Sequence, residues 1–130
     1  MIVVDASAVL ELLLATSAAK LVSERLLVSG ETLHAPHLID LEVAQALRRY
    51  SRSAELAADR GVQALSYLAQ FPLTRYRHDV FLARIWELRH NLTAYDAAYV
   101  ALAETLDAPL VTRDQALASA FGHRAKIELI

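Results

Sequence analysis

Four carboxylates stand where an apolar strand or a loop gives way to a helix: Asp5 in IVVDAS, Glu42 in HLIDLEVAQAL, Asp96 in LTAYDAAYVALAE and Asp114 in PLVTRDQALA. In a sheet of mostly parallel strands the carboxyl ends open on one edge, so acids distant in sequence can converge on one crevice. Ionised carboxylates a few ångströms apart push one another's pKa up. A hard divalent cation, Mg²⁺ or Mn²⁺, resolves that conflict, because it prefers carboxylate and water oxygens to imidazole or thiolate. Such a centre suits phosphoryl chemistry: coordinated water loses its proton readily, and two ions about 3.5–4 Å apart can stabilise both entering and leaving oxygens of a phosphodiester.

Each acid also has a purely structural reading. Asp5 and Asp114 could be N-caps, since Asp accepts backbone N–H groups two or three residues on. Asp96 lies three residues after Thr93, the spacing of a capping box, and Glu42 could be a solvated helix residue beside Asp40. Asp96 is the hardest to explain in that way, because it is the only charge between Thr93 and Glu104 in a run of Ala, Tyr, Val and Leu. A buried carboxylate with no partner would protonate, so it needs a cation or a dense set of donors. Taken together, Asp5 and Asp114 fall just past strand ends, while Glu42 and Asp96 are expected in first helical turns where the dipole favours negative charge.

Near these acids, Ser7 and Thr112 could orient a carboxylate or a phosphate oxygen, or could serve as local caps. The Arg113 guanidinium could brace a phosphate in bidentate fashion, or form a surface ion pair with Asp114. Arg48, Arg49 and Arg52, and further on Arg75 and Arg77, are the other basic candidates, and the group around Arg48 could equally be a solvated helix face. His34 and His37 lack the HExxH spacing of a zinc hydrolase, and no Gly-rich phosphate loop is present.

The elements that must hold these residues follow from the hydrophobic pattern. Residues 1–5 read as a buried parallel strand, with helix from about Ala6 to Leu14. A second helix is expected over Ser17–Val28, capped by Ser17, then a strand over Thr32–Ala35 ended by Pro36. Helix over Leu38–Arg52 would place Leu38, Leu41, Ala44 and Leu47 on its apolar face and Glu42, Gln45 and Arg49 on another. A helix over Ala54–Ala69 carries the stripe Ala54, Ala57, Gly61, Leu65 and Leu68. Phe71–Arg75 reads as an edge strand, Asp79–Arg89 as a helix burying Phe81, Ile85 and Leu88, and Thr93–Leu106 as a nearly all-apolar helix. Strand over Pro109–Thr112, helix over Gln115–Ala120 and strand over Lys126–Ile130 complete the chain. Strands alternating with helices imply an α/β sandwich, a mostly parallel central sheet with helices on both faces.

At 130 residues with scattered Gly and Pro and no linker-like tract, the chain is expected to be one domain over residues 1–130. The absence of Cys removes disulfides, thiolate metal sites and cysteine nucleophiles. A net charge of −2 excludes a protein that coats nucleic acid by charge alone, so any such contact must be local. No signal peptide or membrane span fits the N-terminal pattern, and a cytoplasmic protein is expected. Hydrophobic residues at 55% and a mean hydropathy of +0.29 are high for a small domain, which fits either an apolar face covered by a partner or simply abundant Ala.

IVVDASA at the start, the Pro36-x5-Glu42 segment, LTAYDAAYVALAE and LVTRDQALA resemble, in order and spacing, the PIN-domain ribonucleases, and more narrowly the VapC-type toxins of bacterial type II toxin–antitoxin pairs. The resemblance implies a PIN-like α/β/α sandwich. It implies an acidic quartet of Asp5, Glu42, Asp96 and Asp114, with Asp5, Asp96 and Asp114 as ligands of Mg²⁺ or Mn²⁺; Ser7, Thr112 and Arg113 are the expected substrate contacts because they stand next to these acids in sequence. It further implies endonucleolytic cleavage of RNA, a homodimer, and a cognate antitoxin whose C-terminal segment lies over the active-site groove. Two other readings differ in chemistry. A phosphatase of the haloacid-dehalogenase kind would need DxD, and Ser7 stands at the second acidic position. A non-catalytic module of the same fold would bind metal or RNA without cutting.

Overall fold

The computed structural model describes residues 1–130, and its order of elements is dictated by strands too apolar to face water. Strand β1 (Ile2–Val4) is wholly buried, as a central parallel strand covered on both faces must be. It leads into α1 (Ala6–Leu13) and α2 (Ala19–Leu26), then β2 (Leu33–Pro36), α3 (Leu38–Arg52), α4 (Ala58–Gln70) and β3 (Leu73–Tyr76). A 3₁₀ turn (Asp79–Phe81) opens α5 (Leu82–Glu87), followed by α6 (Ala94–Leu106), β4 (Leu110–Thr112), α7 (Gln115–Ala118) and β5 (Ile127–Leu129).

The five strands form one parallel sheet in the order β3-β2-β1-β4-β5. The chain walks outward from β1 to β3 and then returns to the other side of β1, so the strand order reverses between β1 and β4. A crevice opens at such a reversal, beyond the carboxyl ends of the strands. Helices α1 to α4 pack on one another, and α5 packs on α6, which crosses β1, β2 and β4. The layered α/β/α arrangement read from the sequence is the one observed. Helix α6 is buried on nearly every side from Ala97 to Ala103, and Tyr99 is the largest fully buried side chain.

Several boundaries differ for local reasons. Ser17 does not cap α2: the Thr16 hydroxyl accepts the Ala18 N–H at 3.3 Å, and the helix starts later, at Ala19. Pro36 is the last residue of β2, in register with Tyr76, instead of lying beyond it. Helix α4 begins at Ala58, because Ala54 takes a left-handed conformation (φ 61°) and the Glu55 and Leu56 N–H groups return to the Tyr50 carbonyl, closing α3 first. Of its expected stripe only Leu68 is buried, joined by Ala64. The segment Asp79–Arg89 is broken into the 3₁₀ turn and the short α5, with Phe81 and Leu88 buried and Trp86 left exposed under the Arg89 guanidinium.

The largest correction concerns α3. Its core face is Ile39, Val43, Ala46 and Leu47, and the face carrying Leu41 is turned to solvent, with Leu41 76% exposed. Both faces have apolar residues at helical spacing, so periodicity could not choose between them. The sheet chooses, because Ile39 and Val43 are the pair that pack toward the core.

Candidate active site

Asp5 is the residue after β1 and the N-cap of α1, which fixes its carboxylate at the carboxyl edge of the sheet. Its Oδ2 is held by the Ser7 hydroxyl at 2.5 Å and the Thr112 hydroxyl at 2.8 Å, with the Ser7 N–H at 3.4 Å. Its Oδ1 has no protein donor. Thr112 closes β4, the strand beside β1 in the sheet, so two adjacent parallel strands deliver acid and hydroxyl to one point. The Thr112 hydroxyl also accepts the Asp114 N–H at 2.9 Å, and the Ser7 hydroxyl accepts the Arg113 N–H at 2.9 Å. The loop after β4 is thereby stitched to the start of α1. Thr112 is fully buried, and its hydroxyl fills two of the roles open to it, orienting the Asp5 carboxylate and making the local bond to the Asp114 N–H.

Asp114 caps α7, with Oδ1 accepting the Ala116 N–H at 2.7 Å and the Leu117 N–H at 3.3 Å, and Oδ2 is unengaged. Glu42 comes from α3. It sits in the second turn, since Asp40 is the acid of the first, so the helix dipole bears on Asp40 more than on Glu42. The two are separated by their partners: Asp40 faces Arg75, while Glu42 accepts a hydrogen bond from the Tyr99 hydroxyl at 2.7 Å on Oε1 and keeps Oε2 free. Asp96 is in the first turn of α6, where the Thr93 hydroxyl accepts its N–H at 3.1 Å. Only that half of the capping box forms.

All four acids line one cleft of about 350 Å³, together with Ser7, Leu10, Glu11, Arg49, Tyr50 and Arg113. Its electrostatics follow from crowding. Burial pushes the Glu42 carboxyl up to about 7; the Tyr99 bond opposes this, and the nearby charges of Asp5 and Asp96 reinforce it. Asp96 is pushed upward by burial, opposed by the Thr93 hydroxyl and reinforced by Asp5 and Asp114. Burial and the Glu42 and Asp5 charges keep the Tyr99 phenol protonated, so it donates to the ionised Glu42 carboxylate.

The donor set fits a hard cation: only oxygen ligands, several of them unsatisfied, and burial and like charges that raise the Glu42 and Asp96 carboxyls. No three His, Asp or Glu side chains are close enough to form a ready-made cage. That arrangement suits Mg²⁺, which keeps several waters and takes one or two carboxylates directly, better than an ion enclosed by protein.

The arginines divide by what already holds them. Arg75 is not available to a ligand: it forms a bidentate pair with Asp40 and donates to the Leu68 and Leu73 carbonyls. Arg77 pairs with Asp79 at the surface. Arg113 pairs not with its neighbour Asp114 but with Glu11 at 3.4 Å, and donates to the Ile130 carbonyl. Arg49 lines the cleft with no ion pair. Glu11 and Tyr99 are site residues that sequence reasoning missed. Glu11 lies six residues after Asp5, about 1.7 turns along α1 and off the face of Asp5, so helical spacing gave no signal for it; Tyr99 sits one turn after Asp96 on α6. His34 is buried between Thr32 and Tyr76, bonded to each at 2.8 Å, away from the cleft.

A parallel α/β/α sheet with four acids gathered at its strand-order reversal defines a class of acidic-cleft domain, and comparison with known proteins gives that class a family. The model of the PIN domain matches residues 2–121. Ribonuclease VapC9 of Mycobacterium tuberculosis is 49% identical over 114 residues, covering 88% of this chain and 86% of the relative. Ribonuclease VapC12 of the same organism is 42% identical over 130 residues, covering 100% of this chain and 99% of the relative. Among solved structures, PAE2754 from Pyrobaculum aerophilum superposes with a TM-score of 0.69 at 28% identity, covering 97% of this chain and 81% of that one. VapC20 of Mycobacterium tuberculosis, described as a sarcin-ricin loop cleaving toxin, has the same TM-score of 0.69 at 18% identity, covering 95% and 99%, and so shares the fold. The chain belongs to the PIN-domain family and, within it, to the VapC group.

Proposed function

We propose that this protein is a metal-dependent endoribonuclease, the toxin of a type II toxin–antitoxin pair, and that Asp5, Glu42, Asp96 and Asp114 are its catalytic acids. One observation carries the assignment of the site. Asp5, Glu42 and Asp114 each have one oxygen fixed by protein donors and the other free, in a cleft where burial, reinforced by like charges, raises the pKa of Glu42 and Asp96. Asp40 and Glu104, which tie elements together through arginines, have both oxygens satisfied. The kinship with proteins named ribonucleases supports RNA as the substrate class.

In this reading one or two of Asp5, Asp96 and Asp114 would hold Mg²⁺ or Mn²⁺ directly, and the rest through its waters. The bound ion would supply charge stabilisation at the phosphate and a readily deprotonated water. Ser7 and Thr112 keep Asp5 from turning away, so its Oδ1 presents a fixed ligand. Glu42 accepts a proton in the cleft, since its carboxyl titrates near neutrality in the free protein. Arg49 and Arg113 flank the acids and hold the RNA backbone, and Arg113 exchanges Glu11 for phosphate as RNA arrives. The exposed face of α3 around Leu41, next to Tyr95, belongs to protein contacts, consistent with a homodimer and an antitoxin. No helix is long and apolar enough to cross a membrane, and we place the activity in the cytoplasm, where RNA is.

Purified protein free of antitoxin is expected to cut a panel of single-stranded and structured RNAs with Mg²⁺ or Mn²⁺ and to stop on addition of a chelator. Cleavage unaffected by chelation would overturn the metal-dependent reading. Metal-dependent RNA binding without cuts would replace the enzyme with a binding module of the same fold.

A further inference from the structure

The Tyr99 side chain is fully buried, yet its hydroxyl does not bond within its own layer. It reaches from α6 to Glu42 on α3, donating to Oε1 at 2.7 Å. One turn earlier on α6 is Asp96. A single phenol thus reaches the acid of α3 from the helix that carries another acid of the cleft. A buried hydroxyl needs an acceptor, but a backbone carbonyl would serve. Here the acceptor is a carboxylate of the cleft, and Tyr99 is its only protein donor.

Resting on the reading of the cleft as a metal-dependent ribonuclease site, we propose that Tyr99 is a positioning residue for catalysis, which fixes the Glu42 carboxylate so that its free oxygen faces the cation and its water shell. Without the phenol, Glu42 is a flexible side chain beside two like charges, and it turns away from them. Partners of this kind, one bond removed from a metal centre, orient its ligands and typically change affinity or rate by about 10–100-fold.

The test uses Tyr99→Phe, Glu42→Gln and the double variant, reading the Mn²⁺ dissociation constant by titration, kcat and KM for RNA cleavage, and melting temperature. Tyr99→Phe is expected to weaken Mn²⁺ binding and to lower kcat by about 10-fold, with KM little changed. In the Glu42→Gln background it is expected to change neither, because the group it positions is gone. Equal losses in both backgrounds would make Tyr99 merely structural and overturn the inference, as would Tyr99→Phe with wild-type affinity and rate. Should Tyr99→Phe not fold, the hydroxyl proton of Tyr99 in the wild type decides by NMR. A shift on Mg²⁺ addition supports coupling through Glu42, and no shift at saturating Mg²⁺ overturns it. A wild type that neither binds Mn²⁺ nor cuts RNA overturns the parent reading as well, whereas an active wild type matched by Tyr99→Phe overturns this inference alone.

Discussion

The two ends of α6 carry carboxylates with opposite fates. Near its C-terminal end, the Glu104 side chain is 4% exposed, and both its oxygens are met: Arg84 donates to each, at 2.8 and 2.9 Å, and the Arg124 N–H adds a bond at 2.8 Å. The Arg84 bonds hold its carboxyl below the ordinary range despite burial. At the N-terminal end Asp96 is half-buried among like charges, and its carboxyl moves up. The same contrast occurs within α3, where Asp40 has both oxygens on Arg75 and Glu42, two residues on, has one on Tyr99. Burial therefore does not tell a structural acid from a functional one. The number of satisfied oxygens and the sign of the neighbouring charges do.

The strongest way to break that comparison is to neutralise each end of α6 in turn. Asp96→Asn is expected to lower RNA cleavage by about 10²–10³-fold, since a ligand of the proposed cation is lost. Its melting temperature should hold or rise, because the Asp96 N–H bond to Thr93 is kept, the amide oxygen can still accept, and a repulsion is relieved. Glu104→Gln should do the reverse. Two charge-assisted bonds to Arg84 are weakened in a buried place, for a loss of about 2–3 kcal/mol seen as a lower denaturant midpoint with unchanged slope. The folded variant should still cut RNA. An unfolded Asp96→Asn, or a folded but inactive Glu104→Gln, would show that the two ends do not differ as argued.

The acids themselves were legible in the chain because each is marked by context: Asp5 and Asp114 end apolar strands, and Asp96 interrupts an apolar helix. Their convergence could be anticipated from the alternation of strands and helices. The partners were not legible, because Thr112 and Asp5 are 107 residues apart and meet only through the pairing of β1 with β4. Glu42 was marked only by its spacing from Pro36, with Asp40 close by; Arg75, on the edge strand, separates the two in the fold. The buried face of α3 was also hidden, since Leu41 is as apolar as Val43 and only the position of the sheet decides between them.

A change of pH titrates the same contrast. Burial, with the Asp5 and Asp96 charges and against the Tyr99 bond, raises the Glu42 carboxyl from 4.5 to about 7. The folded protein then holds a proton that the unfolded chain has released, so stability falls as pH rises from 4.5 toward 7. Allowing for solvent screening of a half-exposed group, the loss is about 1 kcal/mol. Glu104, held low, acts oppositely: its contribution is present above 4.5 and is lost as pH falls below that value. Metal-free protein should therefore melt highest at mildly acid pH. Mg²⁺ binds the ionised cleft, so it should raise the melting temperature more at pH 8 than at pH 5. A melting temperature that climbs steadily from pH 5 to 8 without metal would contradict the assignment of Glu42 as the strained acid.

The smallest expected effect sharpens the comparison by removing distance as a criterion. The Arg77–Asp79 pair is closer, at 2.6 Å, than the Arg75–Asp40 pair at 2.8 Å. Yet Arg77 is 75% exposed, where water competes for the same charges and the flexible side chain resists being held. Arg75 is 22% exposed, and its donors join α3, the end of α4 and β3 through Asp40, Leu68 and Leu73. Arg75→Lys, which keeps the charge but loses the planar fork, should cost about 1–2 kcal/mol, while Arg77→Ala should leave the melting temperature within its error. Neither should change kcat. If Arg77→Ala instead raised KM for RNA, and did so less at high salt, the exposed arginine would be a backbone contact and the RNA path would extend past the acidic cleft toward β3.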